Sequence, residues 1–226
     1  MDKRRAALLA RAGIRYLAGL ALMMILIFLP AGTLSWHQGW LLMGVLFVPM
    51  LIAGLALLWR APELLEKRLN ARESQPEQQR VVRASAVMFV SSFVLAGLNR
   101  RFHWPALPDA ACRAAAGVFL LGYGMYAEVL RENAYLSRTV EVQAGQRVVD
   151  TGLYGMVRHP MYLSTLLMFL TMPLILGAPP AFAVMLACIP ILRRRIMNEE
   201  AVLARDLPGY TAYMEKVRYR LIPFVW

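Results

Sequence analysis

The chain is poor in the residues that build soluble catalytic or metal centres. Only two cysteines and three histidines occur among 226 residues. Cys112 and Cys188 both fall inside apolar runs, which suits packing better than a disulfide or a nucleophile. His37, His103 and His159 share no ligand spacing with one another or with cysteine, so no metal is expected. The sequence lacks a G-x-G-x-x-G or P-loop stretch and any alternation of strands with helices, which excludes a soluble nucleotide-binding domain. Acidic residues are also few, 14 against 25 basic ones, leaving a net charge of +11.

Apolar sequence is abundant instead: 59% of residues are hydrophobic and the mean hydropathy is +0.49. About 20 apolar residues suffice to cross a bilayer as a helix. Tyr16 to Leu34, Gly39 to Trp59 and Ala110 to Leu130 have that length, and Ala84 to Leu98 is shorter. Met161 to Gly177 and Ala181 to Leu192 are separated only by Ala178, Pro179 and Pro180, a spacing that predicts a tight helical hairpin. The expected fold is all-α and polytopic, with about five to six membrane helices including this C-terminal hairpin, followed by interfacial helices. The first apolar run is too long, and too lacking in a small-residue cleavage site, for a removed signal peptide.

The basic residues follow membrane topology rather than a nucleic-acid footprint. With a cytoplasmic N-terminus, only Arg100, Arg101 and Arg113 of the 25 basic residues fall outside. The positive-inside rule therefore predicts cytoplasmic N- and C-termini and contact with anionic lipid. The expected organisation is an N-terminal block of membrane helices with an interfacial linker over residues 1–105 and a functional core over 106–226. The linker APELLEKRLNARESQPEQQR carries alternating charge and is assigned no chemistry.

Two segments stand out. GLYGMVRHPMYL, residues 152 to 163, places two glycines, a tyrosine, an arginine and a histidine before a proline that can open a helix, with a second tyrosine just after it. In the tail, Ile196, Glu200, Leu203 and Leu207 share one helical face with Glu199 at its edge. Two carboxylates thus lie on or beside an apolar stripe. A buried carboxylate needs a cation or several donors, and Arg195, four residues before Glu199, is within helical reach of it; the other carboxylate still requires a partner. The simpler alternative leaves both glutamates in water and makes the basic segments interfacial anchors. Tyr210 and Tyr213 face one side of the next turn, as interface anchors or as pocket walls.

The hairpin brings its two flanking segments together. One offers free N–H groups at a helix start, suited to a polar or anionic group; the other offers carboxylates for an ammonium or ribose hydroxyls, and an arginine for a carboxylate. S-adenosylmethionine carries all of those groups.

The run N-x-x-L-S-x-x-V from Asn133, then VVDTGLYGMVRHPMYLS, then NEE-x-x-L and G-Y-x-x-Y-x-x-x-V, closing on LIP, resembles the isoprenylcysteine carboxyl methyltransferase family and the wider group that includes phospholipid methyltransferases. Ser164 stands where many relatives have glycine. The resemblance covers residues 111 to 223 and implies an integral membrane methyltransferase that uses S-adenosylmethionine at the cytoplasmic face. It implies a cofactor pocket formed by Asn133, Tyr154, Arg158, His159, Pro160, Tyr162 and Leu163, with Glu199 and Glu200 on the cofactor's polar groups. Arg195 matches a family arginine that orients substrate, and Arg195 and Glu199 are the expected catalytic pair. Tyr210 and Tyr213 are assigned to substrate. The acceptor is a lipophilic small molecule or lipid bearing a carboxylate, thiol or amine. An NADPH-dependent enzyme of the sterol-reductase type is the alternative enzyme, with Arg193 to Arg195 available for an added phosphate; a membrane scaffold is the alternative without chemistry.

Overall fold

The computed structural model describes residues 3–69, 76–136 and 142–226. Ser137 to Val140, the second half of the N-x-x-L-S-x-x-V motif, lie outside the described residues. Nine α-helices and one 3-10 turn follow in order among the described residues: α1 Lys3–Ala31, α2 His37–Arg60, α3 Pro62–Leu69, α4 Pro76–Arg101, α5 Asp109–Glu132, the turn Gly152–Gly155, α6 Pro160–Ile175, α7 Pro179–Met185, α8 Cys188–Asp206 and α9 Tyr210–Lys216. The fold is all-helical, and α1, α2 and α4 are long and apolar enough to cross a membrane. Large aliphatic side chains such as Leu17, Ile25, Leu29, Ile52, Val87 and Leu121 point outward, as lipid-facing helices require. Cys112 and Cys188 are both free and buried.

Small residues decide how closely the helices approach. A Cβ at Gly97 of α4 would stand 2.7 Å from the Ile27 carbonyl oxygen and 3.0 Å from the Ala31 nitrogen of α1. Gly122 of α5 sits over α6, where a Cβ would lie 3.2 Å from the Ser164 carbonyl oxygen. With little hydrophobic drive between helices in lipid, such close backbone packing supplies much of the association. Hydroxyls inside these helices bond to the preceding turn, Ser164 Oγ to the Met161 carbonyl at 2.7 Å and Thr171 Oγ1 to the Leu167 carbonyl at 2.8 Å, which satisfies them away from water.

The main apolar core joins Ile27, Leu42, Phe93, Phe119, Ile175 and Ala181, residues from α1, α2, α4, α5, α6 and α7. It therefore runs across the expected 105/106 boundary. The α4 helix is longer than its apolar run, because Pro76 to Arg83 continue it with polar residues. The hairpin forms as expected, turning at Gly177 with φ 69, but its second arm is broken at Leu186 and Ala187 into α7 and α8. Its tip meets the α4–α5 connection, where the Leu107 N–H donates to the Gly177 carbonyl at 3.0 Å.

Candidate functional site

Pro160 opens α6 at its first position, where a missing N–H costs nothing. The residues before it are fixed by the tail. The backbone N–H of Arg158 donates to the Tyr219 carbonyl and that of His159 to the Arg220 carbonyl, both at 2.9 Å. The N–H groups of these two residues, just before the helix, are therefore not free, because the tail returns alongside the R-H-P segment and takes them. Arg158 Nη1 also donates to the carbonyls of Val217 at 2.8 Å and Arg218 at 2.9 Å.

The two adjacent glutamates of α8 occupy different environments. Glu200 is buried, and its Oε1 accepts from Arg158 Nε at 2.7 Å and lies 3.1 Å from His159 Nε2. Its Oε2 accepts from Arg220 Nε at 2.7 Å, and the Arg220 guanidinium lies over the Trp226 ring at 5.4 Å. Burial alone would raise the Glu200 pKa, but hydrogen bonds from His159, Arg158 and Arg220 outweigh it and bring it down to about 2. Glu200 is thus a fixed anion that ties R-H-P, α8 and the tail together. It does not line the adjoining cavity, and both its oxygens are taken by Arg158, His159 and Arg220.

Glu199 faces the cavity and accepts a hydrogen bond from the Tyr162 hydroxyl on α6. Arg195 Nε donates to the same hydroxyl at 2.9 Å, so arginine, tyrosine and glutamate form a chain across the α6–α8 contact. The helical reach from Arg195 to Glu199 is therefore bridged by a tyrosine.

The same cavity is lined by Asn133, Tyr154, Arg158, His159, Tyr162, Arg195, Glu199, Tyr210 and Tyr213 of the expected site. Pro160 and Leu163 stand outside the lining; Pro160 shapes the helix start and Leu163 packs with Tyr162 and Ile196. Hydrogen bonds fix several of the walls: Asn133 Nδ2 donates to the Tyr154 hydroxyl at 2.9 Å, and the Tyr213 hydroxyl donates to the Tyr154 carbonyl at 2.7 Å. Burial pushes the Tyr154 hydroxyl up to about 12, so it remains a donor through neutral pH. The Tyr210 hydroxyl is buried with no hydrogen-bond partner, and burial, followed by the charges of Glu200 and Glu199, raises its pKa.

Sequence reasoning missed the wall formed by Gln146, Arg147, Val148 and Val149, and also Leu136, Met161, Leu203 and Leu207. Leu203 and Leu207 were legible as the apolar stripe. The wall at 146–149 has no periodicity to find. Arg220 and Gln78 were also missed, since each comes to the site from a distant part of the chain. Among the described residues, no three acidic, histidine or cysteine side chains form a metal-binding group.

A model of the isoprenylcysteine carboxyl methyltransferase family matches residues 115–205. The matched segment makes up less than half of the chain. It holds the R-H-P element, the hairpin and both glutamates, whereas Tyr210, Tyr213, Arg220 and Gln78 lie beyond it. The whole chain has the fold of the eukaryotic intramembrane Ras methyltransferase ICMT, with a TM-score of 0.52, 15% identity, and coverage of 100% of this chain and 99% of that one. The chain is also similar to a Delta(14)-sterol reductase of Mus musculus, 32% identical over 91 residues. That match spans 39% of this chain and 22% of the reductase.

Proposed function

We propose that the protein is an integral membrane methyltransferase that uses S-adenosylmethionine to methylate a lipophilic acceptor at the cytoplasmic membrane face. The observation that carries this reading is the cavity between the R-H-P loop and α8–α9, which combines the Glu199 carboxylate, the Arg195 guanidinium and a cluster of tyrosines. The family segment supports it.

The side chains fit the cofactor chemically. Glu199 offers a carboxylate to an ammonium or to ribose hydroxyls. The orphaned Tyr210 hydroxyl is a donor and acceptor that the protein leaves unused, and such a group is costly unless a ligand or water meets it. Tyr154 and Tyr213 offer aromatic surface beside it. Bound there, S-adenosylmethionine supplies an electrophilic methyl group on a sulfonium.

The protein's part in the transfer is placement and exclusion of water. Tyr162 holds Glu199, and Arg195 holds Tyr162. Arg195 lies where it can orient an acceptor carboxylate. A carboxylate or thiolate acceptor needs no base, whereas an amine acceptor must release a proton, and Glu199 is the cavity carboxylate able to take it.

The likeness to the sterol reductase supports a second reading, in which the cavity holds NADPH. The extra phosphate would meet Arg147 or Arg195 of the cavity lining, whereas Arg193 and Arg194 are exposed and off it. Calorimetric titration of the full chain in detergent decides between them. Binding of S-adenosylmethionine that weakens about tenfold in Glu199→Gln supports the methyltransferase; binding of NADPH instead supports the reductase, and binding of neither leaves the scaffold.

A further inference from the structure

Gln78 lies on α4, far in sequence from the matched family segment, yet it joins the polar chain of the site. Its side chain is fully buried, and its Oε1 accepts from Arg195 Nη1 at 3.1 Å across 117 positions. The amide nitrogen Nε2 is buried with no hydrogen-bond partner.

Packing does not account for this residue. A buried amide with an unmet donor is less favourable than an apolar side chain of the same shape, and methionine would fill the space without that penalty. What glutamine provides and methionine does not is an acceptor for the guanidinium. Arg195 meets two acceptors in different directions, the Tyr162 hydroxyl through Nε and Gln78 through Nη1. Two such bonds to a planar fork set both its position and the orientation of its plane. A long arginine side chain on α8 is thereby braced from α6 on one side and from α4 on the other.

We propose that Gln78 is a positioning residue for Arg195, so that the acceptor end of the site is completed by α4, outside the segment that defines the family. This rests on the reading of Arg195 as the acceptor-orienting group. Gln78 acts through Arg195 and needs no contact with the methyl group.

The test uses the full chain reconstituted with a total membrane lipid extract, with radiolabelled methyl transfer from S-adenosylmethionine, cofactor affinity and thermal midpoint measured together. Gln78→Met should lower methyl transfer about tenfold while cofactor Kd stays within about twofold. Its thermal midpoint should stay level or rise, because the unmet donor is gone. Gln78→Glu, which keeps an oxygen toward the guanidinium, should recover a large part of the rate. A fall in midpoint and cofactor affinity together with the rate would make Gln78 a structural residue and overturn the proposal, as would a fully active Gln78→Met alongside an impaired Arg195→Lys. Parent-like activity in Arg195→Lys would overturn the reading of Arg195 itself, and no transfer by the parent chain would overturn the methyltransferase reading.

Discussion

Arg158 holds Glu200 at 2.7 Å across 42 positions of sequence, with the two side chains 6% and 7% exposed. Removing one member of a buried charge pair leaves the other without compensation and costs about 3–5 kcal/mol. Glu200→Gln should therefore lower the thermal midpoint sharply and loosen the tail. Glu199→Gln should leave the midpoint nearly unchanged and act on cofactor affinity. Paired denaturation and titration curves check this division; equal stability losses in the two variants would refute it.

The same carboxylate predicts an acid limit. The Glu200 pKa is lowered from an ordinary 4.5 to about 2, so its contribution is fully present above the unfolded value and is lost as pH falls through the folded one. The shift corresponds to about 3 kcal/mol. Stability measured from about pH 5 down to about pH 2 should fall steadily in the parent and be flatter in Glu200→Gln. Parallel profiles would show that the carboxylate is not selectively stabilised in the fold.

Three consecutive arginines end the hairpin's second arm, and they should not be equivalent. Arg193 and Arg194 are exposed and off the cavity lining, whereas Arg195 bonds to Tyr162. Arg195→Lys should lose most methyl transfer and keep cofactor affinity, because an ammonium cannot reproduce the planar fork. Arg193→Lys and Arg194→Lys should remain active. Equal tolerance at all three positions would make Arg195 an ordinary interfacial anchor.

Gly152 has φ 50, and a Cβ there would stand 1.7 Å from Glu132 Oε1. Glu132 Oε2 accepts the Leu153 N–H at 3.2 Å, so the carboxylate cannot withdraw without losing that bond. Gly152→Ala should displace the turn that carries Tyr154 and weaken cofactor binding about tenfold or more, through strain and a broken hydrogen bond. Parent-like titration of this variant would show that the turn has room to adjust.

Orientation is open to labelling. Ala144 and Ala106 are both exposed, one in the loop beside the cavity and one in the α4–α5 connection. Cysteine at Ala106 should react with an impermeant reagent in intact cells, and cysteine at Ala144 only after lysis. The reverse pattern would place the site on the outer face.

The sequence by itself determined the helical class, the hairpin and the expectation that the R-H-P segment and the paired glutamates would meet. These depend on hydrocarbon length, proline placement and helical period, all of which are local properties of the chain. It also placed Glu200 on the apolar face of α8, but it could not say which donors would meet it there. Only the tertiary structure decided that Glu199 lines the cavity while Glu200 is locked behind it by Arg158, His159 and Arg220. The two glutamates are neighbours in sequence, and their difference arises because a helix turns about 100° between adjacent residues and the returning tail covers one of the resulting directions. Gln78 and Arg220 were illegible for the same reason: a single buried polar residue carries no periodic signal, and its partner is set by which distant helix or tail the fold brings against it.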